Sequence, residues 1–309
     1  MKLKKLNNMQ VFNKEQRRAL EDGQEIYNEF VKEIKKACSG DYSKLLKKNF
    51  AFTSMPGLTK TTTIKKYLDE SKVNYIEITG KKSMRDFLYQ LCFTIETYKP
   101  NIKKPLIVFI DDCEFIFKDN DTMNIFKVGI GKQKRFTYSN DAAIIGTKKL
   151  PMPMQKAILK NRLKDSEGFS FSSENVHFIL ASNNKFPTEE EARAKEAKSS
   201  GPTTEKMISK AAIGDRLNTW HIDFKTWEEQ WGYVANQILN NPYFGDGEFK
   251  FTLSERQQMI KFTWDNFSKL KSKSFRAYEG LAQDMLENPD LYLDKWNSSK
   301  HLDISYSKK

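Results

Sequence analysis

The chain has few of the residues that build metal centres and disulfide frameworks. Its three cysteines, Cys38, Cys92 and Cys113, lie far apart without disulfide or metal-ligand spacing, as expected in a reducing cytoplasm. The three histidines are equally scattered, which argues against a His-based metal site. No apolar run approaches the roughly 20 residues of a membrane span, so no membrane partner is expected. The opening residues, MKLKKLNN, lack the apolar core of a signal peptide. There is no internal repeat. What the chain does have is length and aromatic content. Its 309 residues can bury a large core in two domains, and 13% are aromatic, which points to a globular protein. The net charge of +12 fits either a solvated lysine-rich surface or a polyanionic partner such as nucleic acid.

The stretch 49–64 (NFAFTSMPGLTKTTTI) carries the strongest local signal. A short apolar run ends in a Pro-Gly turn, and a helical stretch follows with Ile64, Tyr67 and Leu68 on one face. Strand, tight loop and helix in that order make a phosphate-binding loop. In such a loop backbone N–H groups and a helix N-terminus meet an anion, a lysine reaches the β- and γ-phosphates, and a hydroxyl ligates Mg²⁺. The candidates are Gly57, Leu58, Thr59, Lys60, Thr61 and Thr62, with Pro56 at the turn. The strict pattern G-x-x-x-x-G-K-[ST] has Ser54 and Thr59 in place of its glycines. A Pro-Gly turn before a basic helix start is the plainer alternative.

The second signal is residues 105–114 (PLIVFIDDCE). Five apolar residues in a row suit a central parallel strand buried on both faces. Asp111 and Asp112 follow at its C-terminal end, where open α/β sheets bind ligands. A buried acidic pair needs a cation or a proton, and nucleotide-bound Mg²⁺ would supply the former. Residues 73–79 alternate as a strand, a helix follows through Phe87, Leu88 and Leu91, and strand–helix repetition predicts a layered α/β domain with a parallel sheet.

With these residues in view, the chain resembles an AAA+ ATPase. Residues 54–61 resemble that family's Walker A loop and 106–112 its Walker B strand. Residues 176–184 (VHFILASNN) are similar to sensor 1, 211–218 (AAIGDRLN) to the arginine-finger segment, and 274–281 (SFRAYEGL) to sensor 2 in a helical lid. The resemblance spans about residues 45–300, with all five segments in the family's order. It implies a three-layer α/β domain with a central parallel sheet, a small C-terminal all-helical lid, and ATP with Mg²⁺ as cofactors. It also implies roles: Thr61 and Asp111 on the metal, Asp112 or Glu114 as base, and Asn183 or Asn184 orienting water. Arg216 would act on a neighbouring subunit's nucleotide and Arg276 from the lid. The implied assembly is a homo-oligomeric ring, a hexamer, acting on nucleic acid or on a protein partner. A nucleotide-gated module with little hydrolysis and a MoxR-like chaperone are the alternatives to a DNA motor.

The implied domains are a helical segment at 1–48, the ATPase domain at 49–224, a lid at 225–300 and a frayed tail at 301–309. Residues 9–37 read as one helix or as two surface helices broken at Gly23. Residues 132–145 (KQKRFTYSNDAAII) read as a hairpin turning at Asn140-Asp141. Lys132, Lys134 and Arg135 would contact phosphates while Phe136 and Tyr138 stack on bases. Lys81 and Lys82 occupy the position of the family's first pore loop, and the absence of aromatics there favours nucleic acid over polypeptide. Residues 186–210 read as charged and loop-like in the middle, a mobile excursion rather than a domain boundary. Two departures from the family bear on turnover. Thr59 would be strained by about 1–2 kcal/mol if its φ must be positive, and Asp112 is one methylene shorter than the usual Glu.

Overall fold

A computed structural model describes residues 11–80, 83–139, 144–164, 166–198, 201–241, 243–247 and 249–287. In chain order the elements are α1 (Lys14–Cys38), β1 (Phe50–Thr53), α2 (Lys60–Ser71), β2 (Asn74–Ile78), α3 (Met84–Tyr98) and β3 (Leu106–Ile110). Next come α4 (Asn120–Ile130), β4 (Arg135–Tyr138), α5 (Met152–Lys160), β5 (Phe169–Ser172) and β6 (Val176–Ser182). The chain continues with α6 (Glu189–Glu196), α7 (Pro202–Gly214), β7 (Asn218–His221), α8 (Trp227–Asn240), α9 (Leu253–Asp265) and α10 (Phe275–Glu287). The residues form two compact units, one drawn from Met1–Lys32, Met55–Thr59 and Ile222–Lys309, the other from Glu33–Ser54 and Lys60–His221.

The second unit is a three-layer α/β structure around a five-stranded parallel sheet ordered β2-β3-β6-β1-β7. The inner strands β1, β3 and β6 are buried at every residue, which is why they read as unbroken apolar runs. Leu106, Val108 and Ile110 face a core shared with Phe87, Phe126 and Phe178. On the opposite face Tyr42 packs on Phe50 and His177, and α2 buries Ile64 and Leu68.

One sequence reading is corrected here. The stretch expected to form the first arm of a hairpin makes β4. It pairs antiparallel with β5, Phe136 opposite Phe171, so Phe136 enters the core at 0% exposure and cannot stack on bases. Its ring lies where a side chain on Gly129 would be, so that glycine is what admits it. The expected turn at Asn140-Asp141 lies outside the described residues. Within residues 186–210 two helices, α6 and α7, flank the middle stretch expected to be loop-like. Thr188 and Glu191 form a reciprocal capping box that starts α6, and Pro202 starts α7.

In the first unit α1 runs as one helix through Gly23, which settles between the one or two helices expected there. A Cβ on Gly23 would lie 2.1 Å from the Tyr233 amide nitrogen, and one on Gly232 would lie 1.8 Å from the Ala19 carbonyl oxygen. The two glycines let α1 and α8 cross backbone to backbone. Tyr27 and Tyr233 stack edge-on at 5.9 Å beside the crossing. Further along, the Trp231 indole donates to Thr263, which donates to Tyr278, tying α8, α9 and α10 together. Among the described residues no helix is long and apolar enough to cross a membrane.

Candidate nucleotide site

In the α/β unit the C-terminal ends of β1, β3 and β6 lie side by side because the strands are parallel and in register. Ser54 follows β1, Asp111 follows β3, and Asn183 follows β6, so the order of the strands brings three distant segments to one edge. Lys60, the first residue of α2, is 7% exposed. Its ammonium donates to Ser54 Oγ at 2.7 Å, to the Ser54 carbonyl at 3.3 Å and to Asn183 Oδ1 at 3.2 Å. Burial pulls its pKa from 10.5 to about 8, against the pull of Asp111, Asp112 and Glu114. Beside it, Thr61 Oγ1 donates to Asp111 Oδ1 at 2.8 Å. Burial pushes the Asp111 carboxyl upward, the Thr61 hydrogen bond opposes this, and Asp112 adds to it.

The carboxylates beyond Asp111 diverge. Asp112 is exposed and adopts a left-handed backbone with φ 52°, and residues 113–117 coil into a 3₁₀ turn. The strand therefore does not extend to Glu114. Even so, the turn returns the Glu114 carboxylate to β6, where it accepts from Ser182 Oγ at 3.0 Å and from the Asn183 amide at 3.3 Å. Of the two asparagines, Asn183 meets Lys60 through its side chain, whereas Asn184 engages Ser182 through its backbone.

The loop residues Met55–Thr59 belong to the first unit and are held there. Gly57 has φ 74° and Thr59 φ 59°, so the strained alternative for Thr59 is the one realised. Its hydroxyl donates to Gln237 Oε1 at 2.6 Å, and the Tyr233 hydroxyl donates to the Leu58 carbonyl at 3.4 Å. The Phe275 amide donates to the Gly57 carbonyl at 2.9 Å. A Cβ at Gly57 would strike Ser274 and come within 3.7 Å of Arg276 Cγ, so Arg276 stands beside the loop. Pro56 and Thr62 are exposed, while Leu58 is buried.

The sequence matches no protein-family model, and no curated protein is significantly similar to it. Among solved structures, domain III from the Thermotoga maritima replication initiation protein DnaA is similar at a TM-score of 0.40 and 12% identity, covering 93% of this chain and 92% of that one. A likeness at that level carries no argument about ligand or activity. These rest on the residues themselves.

Other expected site residues lie elsewhere. Arg216 precedes β7, whose Asn218 pairs with Phe50 at the start of β1, so it sits at the sheet edge opposite Lys60. Its guanidinium donates to the Ala212 carbonyl, while Asp215 pairs with Lys47 at 3.5 Å. Lys134 is half-buried with its ammonium 3.4 Å from the Ile130 carbonyl, and burial lowers its pKa, with Lys48 adding to the effect. Lys132 and Arg135 are exposed, Arg135 donating to Ser170 Oγ at 3.3 Å. Lys81 and Lys82 lie outside the described residues. The sequence reading missed Ser54 and Ser182 as polar partners, and Gln237 and Tyr233 as supports of the loop. Serine at position 54 was visible as a missing glycine, but its bond to Lys60 was not.

The donor set suits a nucleotide and a hard cation. A lysine at the first turn of a 12-residue helix without acidic residues in that turn is an anion-binding arrangement. A hydroxyl and one carboxylate match the way Mg²⁺ is held with substrate phosphates rather than by an all-protein cage. Among the described residues no group of three or more His, Cys, Asp or Glu able to hold a metal occurs.

Proposed function

We propose that this chain is a Mg-ATP-binding protein of the AAA+ type that hydrolyses ATP and acts, as an oligomer, on nucleic acid. One observation carries the nucleotide reading: the buried Lys60 ammonium and the Thr61–Asp111 hydrogen bond stand together at the C-terminal ends of β1 and β3. Lys60 and the α2 N-terminus would hold the terminal phosphates. Thr61 and Asp111 would hold Mg²⁺, which would supply charge neutralisation there. Asn183, bonded to Lys60, is placed by this reading to orient water near the terminal phosphate. Arg276 would meet phosphate from beside Gly57, and Arg216, remote from its own Lys60, would act on a neighbouring subunit. The net charge of +12 supports a polyanionic substrate, whereas the burial of Phe136 removes one of the aromatic contacts expected for it.

A second reading, a nucleotide-gated module with little turnover, is favoured by the carboxylates. Asp112 lies on a left-handed backbone outside the strand, and the Glu114 carboxylate is occupied by Ser182 and Asn183. Phosphate release measured beside nucleotide affinity separates the two. The ATPase reading expects steady release that collapses in Lys60→Ala and Asp111→Ala, and a tight-binding chain without release leaves only the module. Release undiminished in Lys60→Ala refutes both.

A further inference from the structure

An aromatic and basic surface lies on the helical unit, whereas the strand first expected to touch nucleic acid belongs to the other unit. Trp227 opens α8 and is 41% exposed. It is propped from beneath by the Trp264 ring at 4.7 Å and the Phe267 ring at 5.1 Å. Trp264 in turn rests edge-on at 4.6 Å on the buried Trp231, whose indole is fixed to Thr263. The exposed indole therefore stands on a rigid base. The segment that follows α9, residues 267–274 (FSKLKSKS), carries Lys269, Lys271 and Lys273, all exposed and two residues apart. The Lys273 ammonium lies over the Phe267 ring at 5.2 Å, which ties the lysines to the aromatic cluster. Residues 261–276 hold five cations against the single carboxylate of Asp265. Glu229, in the first turn of α8, is already bonded to the Lys225 amide at 2.7 Å.

We propose that this surface binds single-stranded nucleic acid, an unstacked base lying on Trp227 and the phosphates running along Lys269, Lys271 and Lys273. A flat, rigid indole offers a stacking face to any base, and cations spaced along an exposed loop track a backbone. A duplex keeps its bases stacked on one another and has no free face for the indole. The proposal deepens the nucleic-acid part of the reading above and rests on it.

The test is fluorescence anisotropy of a labelled oligothymidylate, without nucleotide, titrated with the full chain over a range of salt. Trp227→Ala should weaken binding about five- to hundredfold, and Trp227→Phe should retain most of it. Replacing the three lysines with alanine should lower the log–log salt slope by about 2. Indole emission should be quenched by the oligonucleotide in the wild type, and circular dichroism melting checks that each variant is folded. If the chain binds single strands but no variant alters affinity or slope, this surface is overturned while the broader reading survives. If only duplex is bound, this surface falls while the broader reading survives, and if only an acidic polypeptide such as polyglutamate is bound, both fall. Affinity for a labelled ATP analogue, measured on the same variants, should not change, which separates this surface from the nucleotide site.

Discussion

Replacing Lys60 with methionine should make stability respond to pH in a way that reports directly on the site. The ammonium is buried, and its pKa falls from 10.5 to about 8. At about 1.4 kcal/mol per pH unit, keeping it charged in the folded protein costs about 3 kcal/mol at neutral pH. The sign follows from proton counts. Between pH 8 and 10.5 the unfolded chain keeps this proton while the folded chain loses it, so this residue's contribution to stability rises with pH. Below pH 8 both states are protonated and the cost is fully present. Lys60→Met removes the cost but also the bonds to Ser54 and Asn183, so at pH 7 the variant should equal or exceed the wild type. The difference between variant and wild type should then shrink by about 2 kcal/mol from pH 8 to 9.5. Buried tyrosines and cysteines also titrate in alkali, but they are common to both proteins and cancel. Urea unfolding followed by circular dichroism at several pH values gives the difference. Parallel pH curves for the two proteins would refute the burial and depressed pKa of Lys60.

Other consequences can be read in the same assays. Thr59 combines left-handed strain with a hydrogen bond to Gln237, so Thr59→Ala should lose about 1 kcal/mol while Thr59→Gly, relieved of strain, stays within about 1 kcal/mol of the wild type; the reverse order in urea unfolding would contradict the backbone assignment. Gly232→Ala should destabilise by about 3 kcal/mol because its methyl meets the Ala19 carbonyl, and an unchanged Tm would rule out the close helix crossing. Phe136→Ala should cost about 3–5 kcal/mol as a core deletion, seen in the same unfolding curves, and in folded protein below its transition should leave oligonucleotide affinity unaltered.

Much of the α/β unit was legible because its inner strands are buried on both faces and so leave unbroken apolar runs: 50–53, 106–110 and 176–182 all stood out. The acidic end of β3 and the lysine of the loop were legible for the same reason, since each follows directly on such a run. What could not be read depends on partners far along the chain. Phe136 looked like half of a local hairpin because its true partner, Phe171, lies beyond α5. Whether Gly23 breaks its helix could not be read because nothing near it reveals Gly232, the glycine it packs against. Glu114 reaches Ser182 only because a 3₁₀ turn replaces the strand, and Asp112 lies in a left-handed conformation that its side chain does not announce. Which of Asn183 and Asn184 meets Lys60 through its side chain likewise needed the position of Lys60, which sequence spacing does not supply.

The account stands most directly on nucleotide binding, measured by titrating a fluorescent ATP analogue with Mg²⁺ or with EDTA. The wild type should bind saturably and more tightly with Mg²⁺. Lys60→Ala should weaken binding about tenfold or more under both conditions, through loss of a charge-assisted contact. Asp111→Asn should bind as the wild type does in EDTA yet gain nothing from Mg²⁺. Absence of binding by the wild type, or equal affinity in Lys60→Ala, would contradict the assignment of this site to a nucleotide.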